Sequence, residues 1–157
     1  MGVPQRRERV FFIGHKKELR YPKLKLQFKE EIIPFREVRD KDGREPTRFT
    51  KELLKIKKPT DRKLSDINKR LYGEKRASCF NHALVWDNMV APTITAGGEF
   101  YKMCNDKKMS DNDFIKCQTF PKDYNFDTQK VQYVCGMSVA PIMMEKIAKQ
   151  IYIQWLK

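Results

Sequence analysis

The sequence predicts an α/β chain in which a strand near one end and a packing helix near the other flank a mixed α+β middle. Three observations carry this. Arg9-Val10-Phe11-Phe12-Ile13-Gly14 is a continuous β-branched and aromatic run closed by glycine, the pattern of a strand buried on both faces. From Ser138 or Pro141 onward, Met144, Ile147, Ala148, Ile151 and Trp155 recur at helical spacing, with Lys146, Lys149, Gln150 and Gln154 opposite. Between them residues 15–76 are basic, irregular and mixed, with little regular hydrophobic period, and short strand and helix signals follow. A buried strand needs neighbours on both sides, so the first run implies a sheet completed by residues elsewhere.

Each middle element follows from local signals. Pro22, Pro34, Pro46 and Pro59 exclude long helices from residues 15–76, leaving room for one over Phe49–Ile56 and a helical turn over Ser65–Leu71 ended by Tyr72-Gly73. His82–Trp86 reads as a strand, and Pro92-Thr93-Ile94-Thr95-Ala96 as another, closed by a hairpin-like turn at Gly97-Gly98. Ser110 followed by Asp113 is a helix N-cap signature, and that helix stops before Phe120-Pro121.

Composition bounds the function. The chain has 157 residues and a net charge of +13, and its ten Phe, six Tyr and two Trp can build a modest core. Residues 1–76 hold 24 Lys and Arg against 12 Asp and Glu; residues 77–157 hold 9 against 8. One basic half beside a nearly neutral half points to a polyanionic partner on one side of the molecule, though a solvated lysine-rich surface has the same composition. Cys79, Cys104, Cys117 and Cys135 form no C-x-x-C pair, and only His15 and His82 accompany them, so no zinc-ligand spacing exists and no metal is expected. Without a leader-like apolar segment, these read as reduced thiols in a cytoplasm. No stretch approaches the roughly 20 apolar residues a membrane span needs.

Three segments carry more than composition. Gly2-Val3-Pro4-Gln5-Arg6-Arg7-Glu8-Arg9 and the run after it resemble the Gln-x-Arg-x-Arg motif, the eighth, of the DNA cytosine-5 methyltransferases. Alternation along an extended segment would send Gln5, Arg7 and Arg9 to one side, two guanidinium forks together. Met109–Tyr124 resembles the ninth motif, with Asp113 for its Glu, Lys116 for its Arg and Thr119 for its Gly. Val134-Cys135-Gly136-Met137-Ser138-Val139-Ala140-Pro141 resembles the tenth, with Met137 for the common Asn. The motifs stand in the family's order.

The resemblance implies specific roles. Arg7 and Arg9 would hold an extruded cytosine and its flanking backbone, and Gln5, Thr93 and Thr95 would join them in contacting double-stranded DNA. The turn at Met137, Ser138 and Val139 would line part of the S-adenosyl-L-methionine pocket. The fold would be terminal pieces of a doubly wound, Rossmann-like methyltransferase domain (residues 1–14 a late strand, 131–157 the return turn and helix) flanking a target-recognition domain over 15–130.

The family's reaction also needs a thiolate from a Pro-Cys dipeptide, an acid from Glu-Asn-Val and a Gly-rich donor loop. None occurs in these residues: no cysteine follows a proline and no Glu-Asn exists. The expected activity is therefore that of a portion, inactive alone, completed by a complementary methyltransferase subunit of bacterial or phage origin. A truncated remnant and a free-standing basic DNA-binding protein stand as alternatives, and a neighbouring reading frame carrying the early motifs would separate them.

Overall fold

The computed structural model describes residues 1–29, 31–74 and 78–157. Helix α1 (Arg48–Lys55) starts where Thr47 Oγ1 accepts from Thr50 N at 3.3 Å, one residue after Pro46. Helix α2 (Leu64–Tyr72) starts where the Asp66 carboxylate takes the Arg62 and Lys63 amides at 2.8 and 2.9 Å, and it ends at Gly73 with φ of 79°. Strands β1 (His82–Val85) and β2 (Glu99–Lys102) follow, then α3 (Asp111–Gln118), α4 (Val131–Met137) and α5 (Pro141–Ile151). A π-turn over Tyr152–Leu156 extends α5.

β1 and β2 pair in parallel, Leu84 opposite Tyr101 and Val85 opposite Lys102. Side chains alternate across this two-stranded sheet and supply two cores. Leu84 and Tyr101 join Leu53, Leu54, Leu64 and Ile67 of α1 and α2. Val85 and Phe100 join Phe35, Ile94, Phe114, Cys117 and Cys135 on the other side. A third core lies where the ends of the chain meet: Ala140, Met143 and Ile147 pack with Met1, Val3, Phe11, Ile13 and Phe28.

β1, α3 and both segments proposed as helical in the basic region form close to where the sequence places them; five expectations need correction. Residues 9–14 are extended but form no strand. Phe11 and Ile13 turn inward to α5, while Val10 and Phe12 are 81% and 96% exposed. A strand needs a hydrogen-bonding neighbour, and among the described residues none lies beside this one. Pro92–Ala96 is likewise no strand: only Ala91 bridges to Gln5, and the second strand is Glu99–Lys102 instead. Because β1 and β2 are parallel, the Ala96-Gly97-Gly98 turn feeds a crossover and not a hairpin. Residues 134–137 belong to helix α4, where an open turn was expected. Finally, the buried stripe of α5 runs through Met143 and Ile147, with Met144 and Ala148 outside, one residue away from the expected register at its start. Pro141 at the first turn sets that phase, since Ala140 before it is already buried.

Candidate functional site

The segment Pro4–Arg7 threads between the end of α3 and the α4–α5 junction, held by its backbone: Gln5 bridges Ala91 in parallel and Arg6 N donates to Ala91 O at 2.8 Å. That pairing turns Gln5 and Arg7 into the protein. The Gln5 side-chain amide donates to Cys117 O at 3.1 Å and to Gln118 Oε1, and its oxygen accepts from Ile94 N at 3.1 Å. Gln118, fully buried, passes the network on by donating to Ser138 O at 3.1 Å and Ser138 Oγ at 2.9 Å. Ser138 Oγ in turn donates to Cys135 O at 3.2 Å.

Arg7 closes the ring. Its guanidinium donates to Ile94 O at 3.2 Å, to Gly136 O at 3.0 Å and to Ser138 O. It is 6% exposed, and burial, then the nearby charge of Arg9, pull it below the ordinary arginine value. Four chain segments, separated by up to 131 residues, thus meet on one hub of two glutamines, a serine and an arginine. Buried amides and guanidinium groups are costly when unpaired, so the hub specifies one register for all four segments.

Gly136 is where α4 comes closest to the loop before β2. A Cβ there would run into the backbone of Thr95 and Ala96, so glycine is required by contact. Gln132 reinforces the same approach, its amide donating to Thr95 O at 3.1 Å and Gly98 O at 2.5 Å.

The expected site residues therefore divide. Gln5 and Arg7 are interior fasteners. Arg9 is exposed, its side chain reaching only Glu8 O, at 2.6 Å, among the described residues, so the two forks do not project together as alternation implied. Alternation ends at Arg7 because residues 8–10 have left the bridge at Gln5 and all three are exposed. Thr93 and Thr95 are exposed on the loop that follows Ala91, Thr93 Oγ1 donating to Arg6 O. Met137 is exposed and Val139 packs on the third core.

A methyl donor would find an apolar edge in Met137, Ser138 and Val139. The Ser138 hydroxyl and carbonyl are already engaged, so these three do not make a donor site by themselves. Burial pushes the Cys135 thiol up to about 12 and the Cys117 thiol higher still, far from the thiolate a nucleophile needs. Among the described residues, no group of three metal-ligating side chains comes together, and no helix is long and apolar enough to cross a membrane.

Two residues were missed in the sequence. Gln118 stands inside the ninth-motif resemblance, yet nothing in its spacing announces a buried amide. Lys102 looks like a solvated end of a strand but is fully buried against Asp113.

Fold and hub define a mixed α/β chain assembled around its Gln-x-Arg segment. The family model for C-5 cytosine-specific DNA methylase matches residues 1–153. The chain belongs to that family, the DNA cytosine-5 methyltransferases, transferases that use S-adenosylmethionine. No curated protein and no solved structure matches it.

Proposed function

We propose that this chain is the part of a DNA cytosine-5 methyltransferase that grips DNA and presents the target cytosine, completed by polypeptide carrying the early motifs. The observation that carries this is the hub: Gln5 and Arg7 of the eighth-motif resemblance are fastened to Gln118 of the ninth and Ser138 of the tenth. Those three segments meet in space as the parts of one working unit would, leaving Arg9 outward.

In this reading residues 1–14 and 131–157 are terminal pieces of a doubly wound catalytic domain, and 15–130 form the target-recognition domain. Residues 8–14 make no backbone–backbone hydrogen bond among the described residues, and Val10 and Phe12 point away from the third core. That is the surface on which neighbouring strands of the complementary part would add. Arg7 holds the frame, while Arg9, together with exposed Thr93 and Thr95 of the loop that receives Arg6, contacts the flipped cytosine and nearby phosphate. The thiolate, the acid and most of the donor site come from the complementary part, whether a separate subunit or the remainder of a longer chain.

Labelled donor and cytosine-rich duplex DNA test this. The chain alone should incorporate no methyl group, and addition of a polypeptide with the early motifs should restore transfer. In the restored enzyme Arg9→Lys should slow single-turnover methylation at saturating DNA about a hundredfold, the loss of roughly 2–4 kcal/mol for one charged hydrogen bond in the transition state. Incorporation by the chain alone, or an undiminished rate for Arg9→Lys, refutes the assignment.

A further inference from the structure

Beyond the hub, the chain continues from Arg9 through Phe11 and Ile13 and then wraps over the π-turn that ends α5. Gln154 fastens the wrap, its side-chain amide donating to Lys25 O and accepting from Lys25 N, both at 2.9 Å. Trp155 adds a bond from its indole nitrogen to Pro22 O at 2.8 Å. Tyr21 stacks on Trp155 with centroids 5.7 Å apart and 15° between planes, and His15 stands edge-on to both. Beside this aromatic group lies an open groove of about 500 Å³, walled by Phe11, Ile13, Leu24, Leu26 and Trp155, with His15 and Lys23 among its lining.

The charge around it is one-sided. Residues 15–29 hold six Lys and Arg and a single acid, Glu18. Lys16, Lys17, Arg20, Lys23 and Lys25 are all exposed, and none takes part in an ion pair among the described residues. An apolar, aromatic-walled slot rimmed by unpaired cations complements a flat heterocycle carrying negative charge. The base faces the aliphatic and indole walls, and the phosphates on either side meet the lysines.

We infer that this groove is a second nucleic-acid site, which takes an unpaired nucleotide of a single strand. It is distinct in chemistry from the Arg9 surface, since it works by stacking, without forked hydrogen bonds. It also does not require methylation: the hub reading can fail while this one holds.

The test is a titration of the full chain with single-stranded oligothymidine of about 12 nucleotides, within the span such sites occupy. Wild type should show saturable quenching of tryptophan emission, and Trp155→Phe should lose that quenching while still binding by anisotropy. Leu26→Gln, which changes the groove wall but no charge, should weaken single-strand binding roughly tenfold, the lower range for loss of one stacked base, and leave duplex binding within about twofold. An abasic strand of equal length should bind weaker than oligothymidine by a similar factor. Equal affinity for the abasic strand, or an unaffected Leu26→Gln variant, overturns the site and leaves only screened charge. So does emission that shifts with vesicles of phosphatidylglycerol but not with the oligonucleotide, which would make the groove a lipid-facing surface.

Discussion

At the scale of single residues, Thr119 shows a strained position that does useful work. It ends α3 in the left-handed region, φ 62°, where a β-branched side chain costs about 1–2 kcal/mol. Its hydroxyl repays part of this by accepting from Ile142 N at 3.3 Å, which joins the end of α3 to the first turn of α5. A net hydrogen bond contributes about 0.5–1.5 kcal/mol, so strain and bond nearly balance. Thr119→Gly should therefore leave stability unchanged or raise it by up to about 1 kcal/mol. Thr119→Val keeps the strain, loses the bond, and should cost roughly 1 kcal/mol or more. Thermal denaturation of the two variants decides: a valine variant as stable as the glycine one would mean the backbone there is unstrained. The ninth-motif resemblance marked this position, where Thr119 stands in place of glycine, but not its left-handed backbone. The roles of Gln118 and Arg7 were not, because a polar residue bound for the interior has the same letter as one bound for solvent.

At the scale of elements, the Lys102–Asp113 pair decides how β2, α3 and the 40–42 loop lie together. Both side chains are 0% exposed and 2.9 Å apart. Lys102 Nζ also donates to Asp40 O at 2.9 Å and to Asp42 O. Asp113 accepts from Asp40 N at 2.5 Å and from Ser110 N at 2.8 Å, so the carboxylate caps α3 and anchors the loop at once. Removing one partner of such a pair strands the other charge in the interior, at about 3–5 kcal/mol. Asp113→Asn should lower the denaturant midpoint accordingly, and Lys102→Met combined with Asp113→Leu should recover much of the loss. A single variant within about 1 kcal/mol of wild type would show that water reaches the pair. This pair also explains one misplaced element. Glu99-Phe100-Tyr101-Lys102 is too short, and too charged at its ends, to read as an interior strand, and only Asp113, eleven residues on, makes its lysine an interior residue. Helices α1, α2 and α3 were readable because their caps are local. The run at 9–14 misled for the opposite reason: its composition is that of a buried strand, but burial on both faces depends on neighbours these residues do not contain.

At the scale of the whole molecule, charge is the property that the sequence displays most openly and that packing alters least. The +13 net charge is concentrated in residues 1–76, and most of its carriers stay on the surface: among the described cations of that half, Arg7 alone is buried. The ion pairs that form there, such as Lys51 with Glu45 and Lys55 with Glu52, are exposed and contribute little. Their excess is thus available to a polyanion, and binding to duplex DNA would release the counterions held by its phosphates. For each phosphate neutralised, log K should fall with log salt by about 0.9. If six phosphates are engaged, affinity drops on the order of a thousandfold between roughly 50 and 200 mM salt. Fluorescence anisotropy with labelled duplex at several salt concentrations measures the slope directly. Replacing Lys16, Lys17 and Arg20 with Gln should make it shallower by up to about three units, with little change in the thermal melt, because none of the three is buried. Arg9→Lys preserves the charge and should leave the slope where it is, so that the electrostatic contribution is separated from the forked contact assigned to that arginine. A slope shallower than about −2 for the wild-type chain would mean that the basic half faces something other than DNA.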